Sequence, residues 1–251
     1  MNGKNVGIHA VTFDIFGTLI GFKDTFAVKE CYRASYNRFV SKGLNLGSFN
    51  DFYHACIREW SNVVKKRFSS GKDTSRDTFF SYVLRSFGYD YNPSSSIILE
   101  AIEKFYRVFE SEIKFSENIL DLLRELREKI KIGIISDFVY PPSLKEVLKN
   151  TGIEKHVDCI VISSDVGWAK PSLQIFNKAL TCLNVKPGNA VHVGDRLDSD
   201  IYGAKRMGMK AIWIRRTIHP DEPLDIVRLK ADPDYEVNSI EEAFNVLFEI
   251  I

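Results

Sequence analysis

The chain has 251 residues, which is enough for one large domain or for a core with a smaller second domain, and 45% of them are hydrophobic. Its formal net charge of +1 excludes a strong global field that would draw it to nucleic acid or to an anionic membrane. We find no charged-then-apolar signal pattern at the N-terminus and no apolar run of membrane-spanning length. We therefore expect a cytoplasmic, soluble protein without a nucleic-acid or membrane partner.

The cysteines support the same expectation. The chain contains four, at Cys31, Cys56, Cys159 and Cys182, and they show no paired metal-ligand spacing. Scattered cysteines in a chain of this length are typical of small, buried apolar residues in a reducing compartment. We predict four reduced thiols with no metal.

The first predicted strand covers residues 8–14 and ends in a carboxylate. A β-branched and aromatic run leads to Asp14, and Gly17-Thr18 then turns the chain away. Open α/β sheets bind their ligands at the carboxyl ends of the strands, so Asp14 is a candidate catalytic residue. This signal is weak by itself, because an aspartate at the end of a strand commonly caps a turn or a helix.

Residues 24–113 have no convincing strand run, carry most of the aromatic residues and are punctuated by glycine and proline. This pattern predicts four helices, at about 25–42, 49–69, 75–87 and 94–111. The aromatic stripe that includes Phe52 and Cys56 is expected to form the core between these helices. Lys65-Lys66-Arg67 is expected to be a solvated helix face.

From residue 114 onward, strand-like runs alternate with helical patterns, which is typical of a parallel sheet with crossover helices. The strands are predicted at about 131–136, 157–163, 190–194, 210–215 and 234–237. The predicted fold class is therefore α/β, a doubly wound parallel sheet with helices on both faces. Its core domain would comprise residues 1–23 and 114–251, with a helical domain of residues 24–113 inserted between them.

Three later segments accompany the one that ends in Asp14. They are Ile134-Ile135-Ser136-Asp137, Trp168-Ala169-Lys170-Pro171, and the run from Val193 to Asp200. In order and context, the four segments resemble the motifs of the haloacid dehalogenase-like (HAD) hydrolases. The resemblance covers about residues 8–22 and 114–240, and it implies that the helical insertion is the cap domain found at that position in many members of the family.

The resemblance also implies a chemistry. Asp14 would be the nucleophile that forms an aspartyl ester, and Asp195 would supply a second carboxylate. Two carboxylates that converge at strand ends make a hard oxygen site suited to Mg²⁺. The remaining metal ligands would be the backbone carbonyl of Phe16 and water molecules.

Further site residues follow from the same motifs. Ser136 and Thr18 could bind phosphate oxygens through their hydroxyl and backbone N–H groups. Lys170 matches the lysine that stabilises the nucleophile and the developing charge. Asp200 would bind a metal-bound water or orient Lys170, whereas Asp198 is expected to cap the following helix.

The chain departs from the family pattern at one position. HAD phosphatases usually carry an aspartate two residues after the nucleophile, which acts as a general acid and then as a base, but this chain has Phe16 there. An aromatic residue at this position is similar to the haloacid dehalogenases, whose halide leaving group needs no proton. Those enzymes generally replace the Gly-Asp metal carboxylate with a Ser/Asn-rich stretch, whereas this chain keeps Asp195. Asp137 is either a substitute proton carrier or a solvent-facing turn residue.

Three hypotheses follow. We favour a Mg²⁺-dependent phosphatase that acts on a small phosphorylated metabolite. The alternatives are a 2-haloacid dehalogenase and a weakly active binding or regulatory member of the family. The substrate and the oligomeric state have no decodable signal in the sequence.

Overall fold

The computed structural model describes residues 7–215 and 231–251. Residues 1–6 and 216–230, which the sequence assigns to the core domain, lie outside this described part. Within the described ranges, no helix is both long enough and apolar enough to cross a membrane.

The first half of the chain begins the main sheet and then leaves it. Strand β1 spans Ala10–Phe13, and the two-residue strand β2 spans Gly21–Phe22. Four helices follow, and we call this region the helical insert: α1 (Val28–Ser41), α2 (Phe49–Ser70), α3 (Arg76–Arg85) and α4 (Ser96–Ser111). Strand β3 (Ile113–Lys114) then pairs antiparallel with β2, so both ends of the insert leave the core at the same place.

The second half alternates strands with helices, as the sequence predicts. The strands are β4 (Lys131–Ser136), β5 (Cys159–Ile162), β6 (Ala190–Gly194), β7 (Lys210–Ile214) and β8 (Tyr235–Val237). The helices are α5 (Asn118–Arg127), α6 (Pro141–Thr151), α7 (Ser163–Val166), α8 (Leu173–Leu183), α9 (Tyr202–Met207) and α10 (Ile240–Ile250).

The six strands form one sheet in the order β5-β4-β1-β6-β7-β8. Each neighbouring pair is parallel. The chain adds β4 on one side of β1 and β6 on the other, so the strand order reverses at β1. Such a switch point opens a crevice at the carboxyl ends of the strands, and Asp14 is the first residue after β1.

The strands bury side chains on both of their faces, which explains why they appear in the sequence as continuous apolar runs. Val11 and Phe13 belong to a cluster that includes Phe244 of α10, whereas Ala10 belongs to a second cluster that includes Phe176 of α8. Helices therefore cover both faces, and the prediction of a doubly wound α/β sheet is confirmed.

The four predicted helices of the insert are also present, with ends within a few residues of those expected. Phe52 and Cys56 are fully buried between them, as the aromatic stripe predicts. Lys65 and Lys66 are exposed, but Arg67 is not part of a solvated face, because its side chain is only 10% exposed and pairs with Asp73.

The cysteines differ from the expectation of four reduced thiols. Cys159 of β5 and Cys182 of α8 form a disulfide, whereas Cys31 and Cys56 are free and buried. The pair lies 23 residues apart in the chain. The sequence gives no sign of this pairing, because only the packing of α8 against β5 brings the two side chains together. The cytoplasmic location therefore stays a prediction and loses the support of the cysteine pattern.

Candidate active site

Asp14 lies at the switch point of the sheet and is 8% exposed. Its backbone N–H donates to the carbonyl of Val193 at 2.9 Å, which extends the pairing of β1 with β6 by one residue. The side chain is therefore carried by two central strands. Groups held on strands keep their position more accurately than groups on loops.

Lys170 connects the carboxylates of the site. Its ammonium lies 2.6 Å from an oxygen of Asp14 and 2.6 Å from an oxygen of Asp200, and it also donates to the carbonyl of Ile135 at 3.1 Å. The lysine is 3% exposed. A buried ammonium with three oxygen partners has its hydrogen-bonding capacity filled, so its geometry is tightly determined.

Asp200 is fully buried and is held from two sides in addition to Lys170. The backbone N–H of Arg196 donates to it at 3.0 Å, and a ring nitrogen of His192 lies 3.4 Å away. The other ring nitrogen of His192 lies 2.8 Å from the hydroxyl of Thr12. These contacts place His192 in the interior between two polar partners, and Asp200 lies between His192 and Lys170.

Burial and charge act in opposite directions on the pKa values of this cluster. Burial alone would raise the pKa of the Asp200 carboxyl, but Lys170 and His192 bring it well below its ordinary value. Burial would likewise lower the pKa of Lys170, yet the surrounding carboxylates raise it. Burial raises the pKa of Asp14, and the Lys170 ammonium opposes this rise. The carboxylates therefore favour the charged form of Lys170, and Lys170 favours the ionised forms of the carboxylates.

Asp195 follows β6 and completes the acidic cluster. Oxygens of Asp14, Asp195 and Asp200 all lie within 4.8 Å of one another, and all three residues are buried. Gly17 has φ +89°, and a side chain there would collide with the carboxylate of Asp195. The turn after β1 therefore needs glycine for its backbone conformation and for this close approach. Several hard carboxylate oxygens in one buried cluster form a donor set that fits Mg²⁺.

The two hydroxyl residues predicted to bind phosphate both lie at this edge of the sheet. Ser136 is the last residue of β4 and is 2% exposed. The hydroxyl oxygen of Thr18 is buried and has no hydrogen-bond partner among the described residues. A buried hydroxyl without a partner is costly unless a ligand supplies one, so Thr18 is suited to bind an anionic oxygen.

Asp137 is not a solvent-facing turn residue. Its carboxylate accepts a hydrogen bond from the backbone N–H of Lys170 at 2.9 Å. Burial raises its pKa, although Arg67 and Lys170 act to lower it. A half-buried carboxyl group with a raised pKa therefore lies against the backbone of Lys170.

Phe16 takes the position usual for the acid and packs into a set of aromatic rings. Its ring centroid lies 5.5 Å from that of Phe22, 5.1 Å from Phe109 and 5.2 Å from Phe138. These partners come from β2, from α4 of the insert and from the loop after β4. The side chain of Phe16 thus joins the insert to the core.

Asp198 does not cap the following helix as expected. It lies inside a single π-helical turn, Leu197–Ile201, and accepts a hydrogen bond from the Arg196 side chain at 2.8 Å. Sequence reasoning also missed Asp73, whose carboxylate contacts both Arg67 and Ser163 at the border between the insert and the core. The sole sequence signal was an isolated aspartate two residues before the helix predicted at about 75–87.

Comparison with known proteins agrees with the fold and identifies the family. Residues 8–208 match the sequence profile of the haloacid dehalogenase-like hydrolases. The chain belongs to this family. The resemblance inferred from the four motifs is confirmed, and the chain is a hydrolase of the HAD type.

The relatives include phosphatases. A glyceraldehyde 3-phosphate phosphatase of Methanopyrus kandleri is 30% identical over 97% of this chain and 98% of its own length. The enzyme of the same name from Pyrococcus abyssi is 34% identical over 83% of this chain and 82% of its own. A phosphoserine phosphatase of Thermus thermophilus is 30% identical over 58% of this chain and 55% of its own.

Solved structures share the architecture along nearly the whole chain. A HAD phosphatase of Thermococcus onnurineus aligns with a TM-score of 0.62 at 27% identity, covering 96% of this chain and 98% of that one. A 2-haloacid dehalogenase of Pseudomonas syringae aligns with a TM-score of 0.68 at 23% identity, covering 96% of this chain and 99% of that one. The second similarity is one of fold alone.

Proposed function

We propose that this chain is a Mg²⁺-dependent phosphatase that hydrolyses a small phosphorylated metabolite through an aspartyl-phosphate intermediate. One observation carries the proposal: the ammonium of Lys170 lies 2.6 Å from a carboxylate oxygen of Asp14, and Asp14 belongs to a cluster of three buried carboxylates. A hydrolase in which Asp14 attacked a carbon atom would not need the additional carboxylate of Asp195 to hold a metal ion. The phosphatase names of relatives at 30–34% identity support the same choice.

In the proposed reaction, an oxygen of Asp14 attacks the phosphorus atom in line with the leaving group. The bond from phosphorus to the leaving oxygen breaks, and its electron pair departs with that oxygen. Water then cleaves the aspartyl phosphate, which releases inorganic phosphate and restores the carboxylate. Lys170 orients Asp14 and places a positive charge beside the transferring group. Asp200 holds the lysine in that orientation through its contact at 2.6 Å.

The remaining groups bind and orient the phosphoryl group. The partnerless hydroxyl of Thr18 and the hydroxyl of Ser136 would each donate to a phosphoryl oxygen. Asp14, Asp195 and the backbone carbonyl of Phe16 would hold Mg²⁺. The ion, when bound, offsets the negative charge of the carboxylates and polarises a phosphoryl oxygen.

The leaving group needs a proton if it is an alkoxide. Phe16 has none to give, whereas Asp137 has a raised pKa and lies on the loop after β4 beside Lys170. We infer that Asp137 protonates the leaving oxygen and later accepts a proton from the attacking water. The three-carbon phosphate esters in the names of the relatives have alkoxide leaving groups, so this role would be required for such substrates.

We also infer that the helical insert acts as a cap domain over the site. Its two ends leave the core together at β2 and β3, directly after the turn that carries Thr18. Phe22 and Phe109 of this region pack on Phe16, so the insert excludes water from one side of the nucleophile.

Measurement of product release tests the function. We would assay phosphate from glyceraldehyde 3-phosphate, phosphoserine and 4-nitrophenyl phosphate, and halide from 2-chloropropionate, with and without Mg²⁺. We expect Mg²⁺-dependent phosphate release that Asp14→Asn lowers on the order of 10⁴-fold or more, because an amide cannot form the ester. Halide release without Mg²⁺ would identify a dehalogenase, and no turnover on any phosphate would favour a binding or regulatory protein.

A further inference from the structure

The insert touches the core at a second place, far along the chain from its two ends. Residues 71–74, which follow α2 and which we call the insert loop, lie against residues 163–170, which we call the lysine segment because it ends at Lys170. Neither the motifs nor the proposed reaction involves the insert loop.

Backbone hydrogen bonds join the two segments in the manner of a short antiparallel ladder. The N–H of Ala169 donates to the carbonyl of Gly71 at 2.9 Å, and the N–H of Asp73 donates to the carbonyl of Gly167 at 3.3 Å. Between them, Lys72 pairs with Trp168 as an isolated bridge, and its ammonium lies 3.5 Å from the centre of the Trp168 ring. The residue next to Lys170 is therefore hydrogen-bonded to the insert.

A side chain adds a second connection. The carboxylate of Asp73 is 1% exposed and accepts a hydrogen bond from the hydroxyl of Ser163, the first residue of the lysine segment. The Nε–H of Arg67 of α2 donates to the same carboxylate at 2.9 Å, and a second guanidinium nitrogen lies 2.8 Å from the same oxygen as an ion pair. Ser163 is itself fully buried directly after β5, so Asp73 is fixed between a helix of the insert and a strand of the core.

Gly71 of the insert loop lies close to Ser172, just beyond the lysine segment. Gly71 has φ +73°, and a Cβ atom there would lie 2.8 Å from the hydroxyl of Ser172 and 2.9 Å from its Cβ. Ser172 follows Lys170 by two residues. The insert loop thus flanks the lysine on both sides along the chain.

We propose that Asp73 is a positioning residue that fixes the position of Lys170. It does so through its contact with Ser163 and through the ladder between the insert loop and the lysine segment. The inference rests on the proposed function, because it assigns a consequence to the position of Lys170. The lysine ammonium must lie at hydrogen-bond distance from Asp14 and Asp200 together. A displacement of about 1 Å in such a group lowers rates by up to roughly 10²-fold.

Ser163→Ala is the sharpest test, because it removes the hydroxyl that meets Asp73 with little change of volume. We expect kcat to fall about tenfold with KM changed less than twofold, since the substrate-binding hydroxyls are left in place. Asp73→Asn should have a similar effect. The double variant should lose no more than the larger single loss, because both changes break the same contact.

Asp90→Asn is the matched control. It removes an aspartate–arginine pair of the same insert, Asp90 with Arg85, whose side chains are 82% and 55% exposed and which does not touch the lysine segment. We expect kcat and KM to stay within twofold of the wild type. Equal effects of Asp90→Asn and Ser163→Ala would overturn the proposal, and so would additive losses in the double variant.

Amide hydrogen exchange, read by mass spectrometry, separates this inference from the proposed function because it needs no turnover. Ser163→Ala and Asp73→Asn should speed exchange in peptides that cover 163–170 and leave the strands of the sheet unchanged. Unchanged exchange in 163–170 would overturn the inference even in an active phosphatase. Faster exchange with wild-type kcat would reduce Asp73 to a structural contact and overturn its positioning role. If exchange changes locally but the protein hydrolyses no phosphate ester, the contact between Asp73 and Ser163 is supported and the proposed function is rejected.

Discussion

Phe16 is the residue at which this chain departs most clearly from the phosphatases of its family. Its ring is held by Phe22, Phe109 and Phe138 at centroid distances of 5.1–5.5 Å, in the tilted, stacked and edge-on arrangements that aromatic pairs prefer. The position has therefore exchanged a proton carrier for a contact that joins the insert to the core. The proton for the leaving group must come from another residue, or the leaving group must depart without one.

The first prediction concerns this exchange. If Asp137 delivers the proton, wild-type rates should depend weakly on the acidity of the leaving group, and Asp137→Asn should slow alkyl phosphates much more than aryl phosphates. General acid help is worth roughly 10²–10⁴ in rate, so the gap between the two substrate classes should widen by a factor in that range. The measurement is kcat/KM for glyceraldehyde 3-phosphate and for 4-nitrophenyl phosphate in both proteins.

Substitution of Phe16 provides the control for that experiment. In the Asp137→Asn background, Phe16→Asp should restore an acid and speed the hydrolysis of alkyl phosphates. Phe16→Asn makes the same gap in the aromatic packing but has no acidic proton to donate. Comparable rates for the two variants would mean that the position cannot serve as an acid here. A steep dependence on the leaving group in the wild type would instead exclude Asp137 as the donor.

The second prediction follows from the raised pKa of Asp137. In the folded protein, Asp137 stays protonated at pH values above its ordinary pKa of 3.8. In this pH range the folded protein therefore binds more protons than the unfolded chain does. The free energy of unfolding should therefore fall as the pH rises from that value through the raised pKa, and Asp137→Asn should remove this fall. Each tenfold change in proton affinity is worth about 1.4 kcal/mol. Urea unfolding of both proteins between about pH 4 and pH 8 measures the difference.

The stability difference between Asp137→Asn and the wild type should move in favour of the variant as the pH rises. Asparagine can still accept the hydrogen bond from the N–H of Lys170, so the comparison isolates the charge. A constant difference across that range would show that Asp137 ionises in the folded protein as it does in the unfolded chain.

At the scale of the elements, the sequence predicts the strands and helices well and their side-chain contacts poorly. The runs that lead to Asp14, Ser136 and Asp195 are apolar on both faces because the sheet is covered on both faces, and this leaves a local signal. The switch from aromatic helical periodicity to alternating strands near residue 114 likewise marks the end of the insert. Both signals depend on neighbours in the chain, which is why they are visible without the fold.

The missed features depend instead on residues that are distant in the chain. Arg67 is part of a basic run that is otherwise exposed, and only the return of the chain at Asp73 buries it. Asp73 meets Ser163 across 90 positions of sequence. No local pattern encodes such a contact, because it arises from the packing of the insert loop after α2 against the lysine segment.

The disulfide between β5 and α8 gives the third prediction. In denaturant without a reductant the protein should show two reactive thiols, and after reduction it should show four. The native protein should show almost none at neutral pH, because Cys31 and Cys56 are buried and burial raises the pKa of Cys31 to about 12. The measurement is thiol titration with a chromogenic disulfide reagent.

A stability comparison accompanies the titration. The disulfide closes a loop with a sequence separation of 23, and its loss should lower the free energy of unfolding by about 3 kcal/mol. Cys182→Ser tests this loss, while Cys56→Ser, which removes a free thiol, serves as the comparison. Four reactive thiols in denatured, unreduced protein would show that the pair is reduced in solution.

On the scale of the whole molecule, the sheet order places the chemistry in one crevice. Asp14, Ser136 and Asp195 follow or end β1, β4 and β6, which are three adjacent strands of the sheet. The insert enters beside β1, and its loop returns to the lysine segment after β5. The site is thus bounded by segments from both halves of the chain, so a ligand bound there should stabilise the entire fold.

The fourth prediction measures that stabilisation with Mg²⁺ alone. A ligand that binds only the folded state adds about 2.7 kcal/mol at a concentration of 100 times its Kd. For a chain of this size this should raise Tm by roughly 5–10 °C. Asp195→Asn removes a charge from the cluster of three carboxylates with little change of shape, so it should abolish most of the Mg²⁺-dependent rise.

Asp198→Asn is the matched control, because Asp198 belongs to the same motif and is also buried but pairs with Arg196 instead of joining the carboxylate cluster. Its variant should unfold at a lower temperature than the wild type in buffer, yet gain as much from Mg²⁺. Thermal unfolding gives the shift in Tm, and titration calorimetry gives the affinity directly. If the wild type and Asp195→Asn bound Mg²⁺ with equal affinity, Asp195 would not be a metal ligand, because its negative charge would then contribute nothing to the binding of the ion.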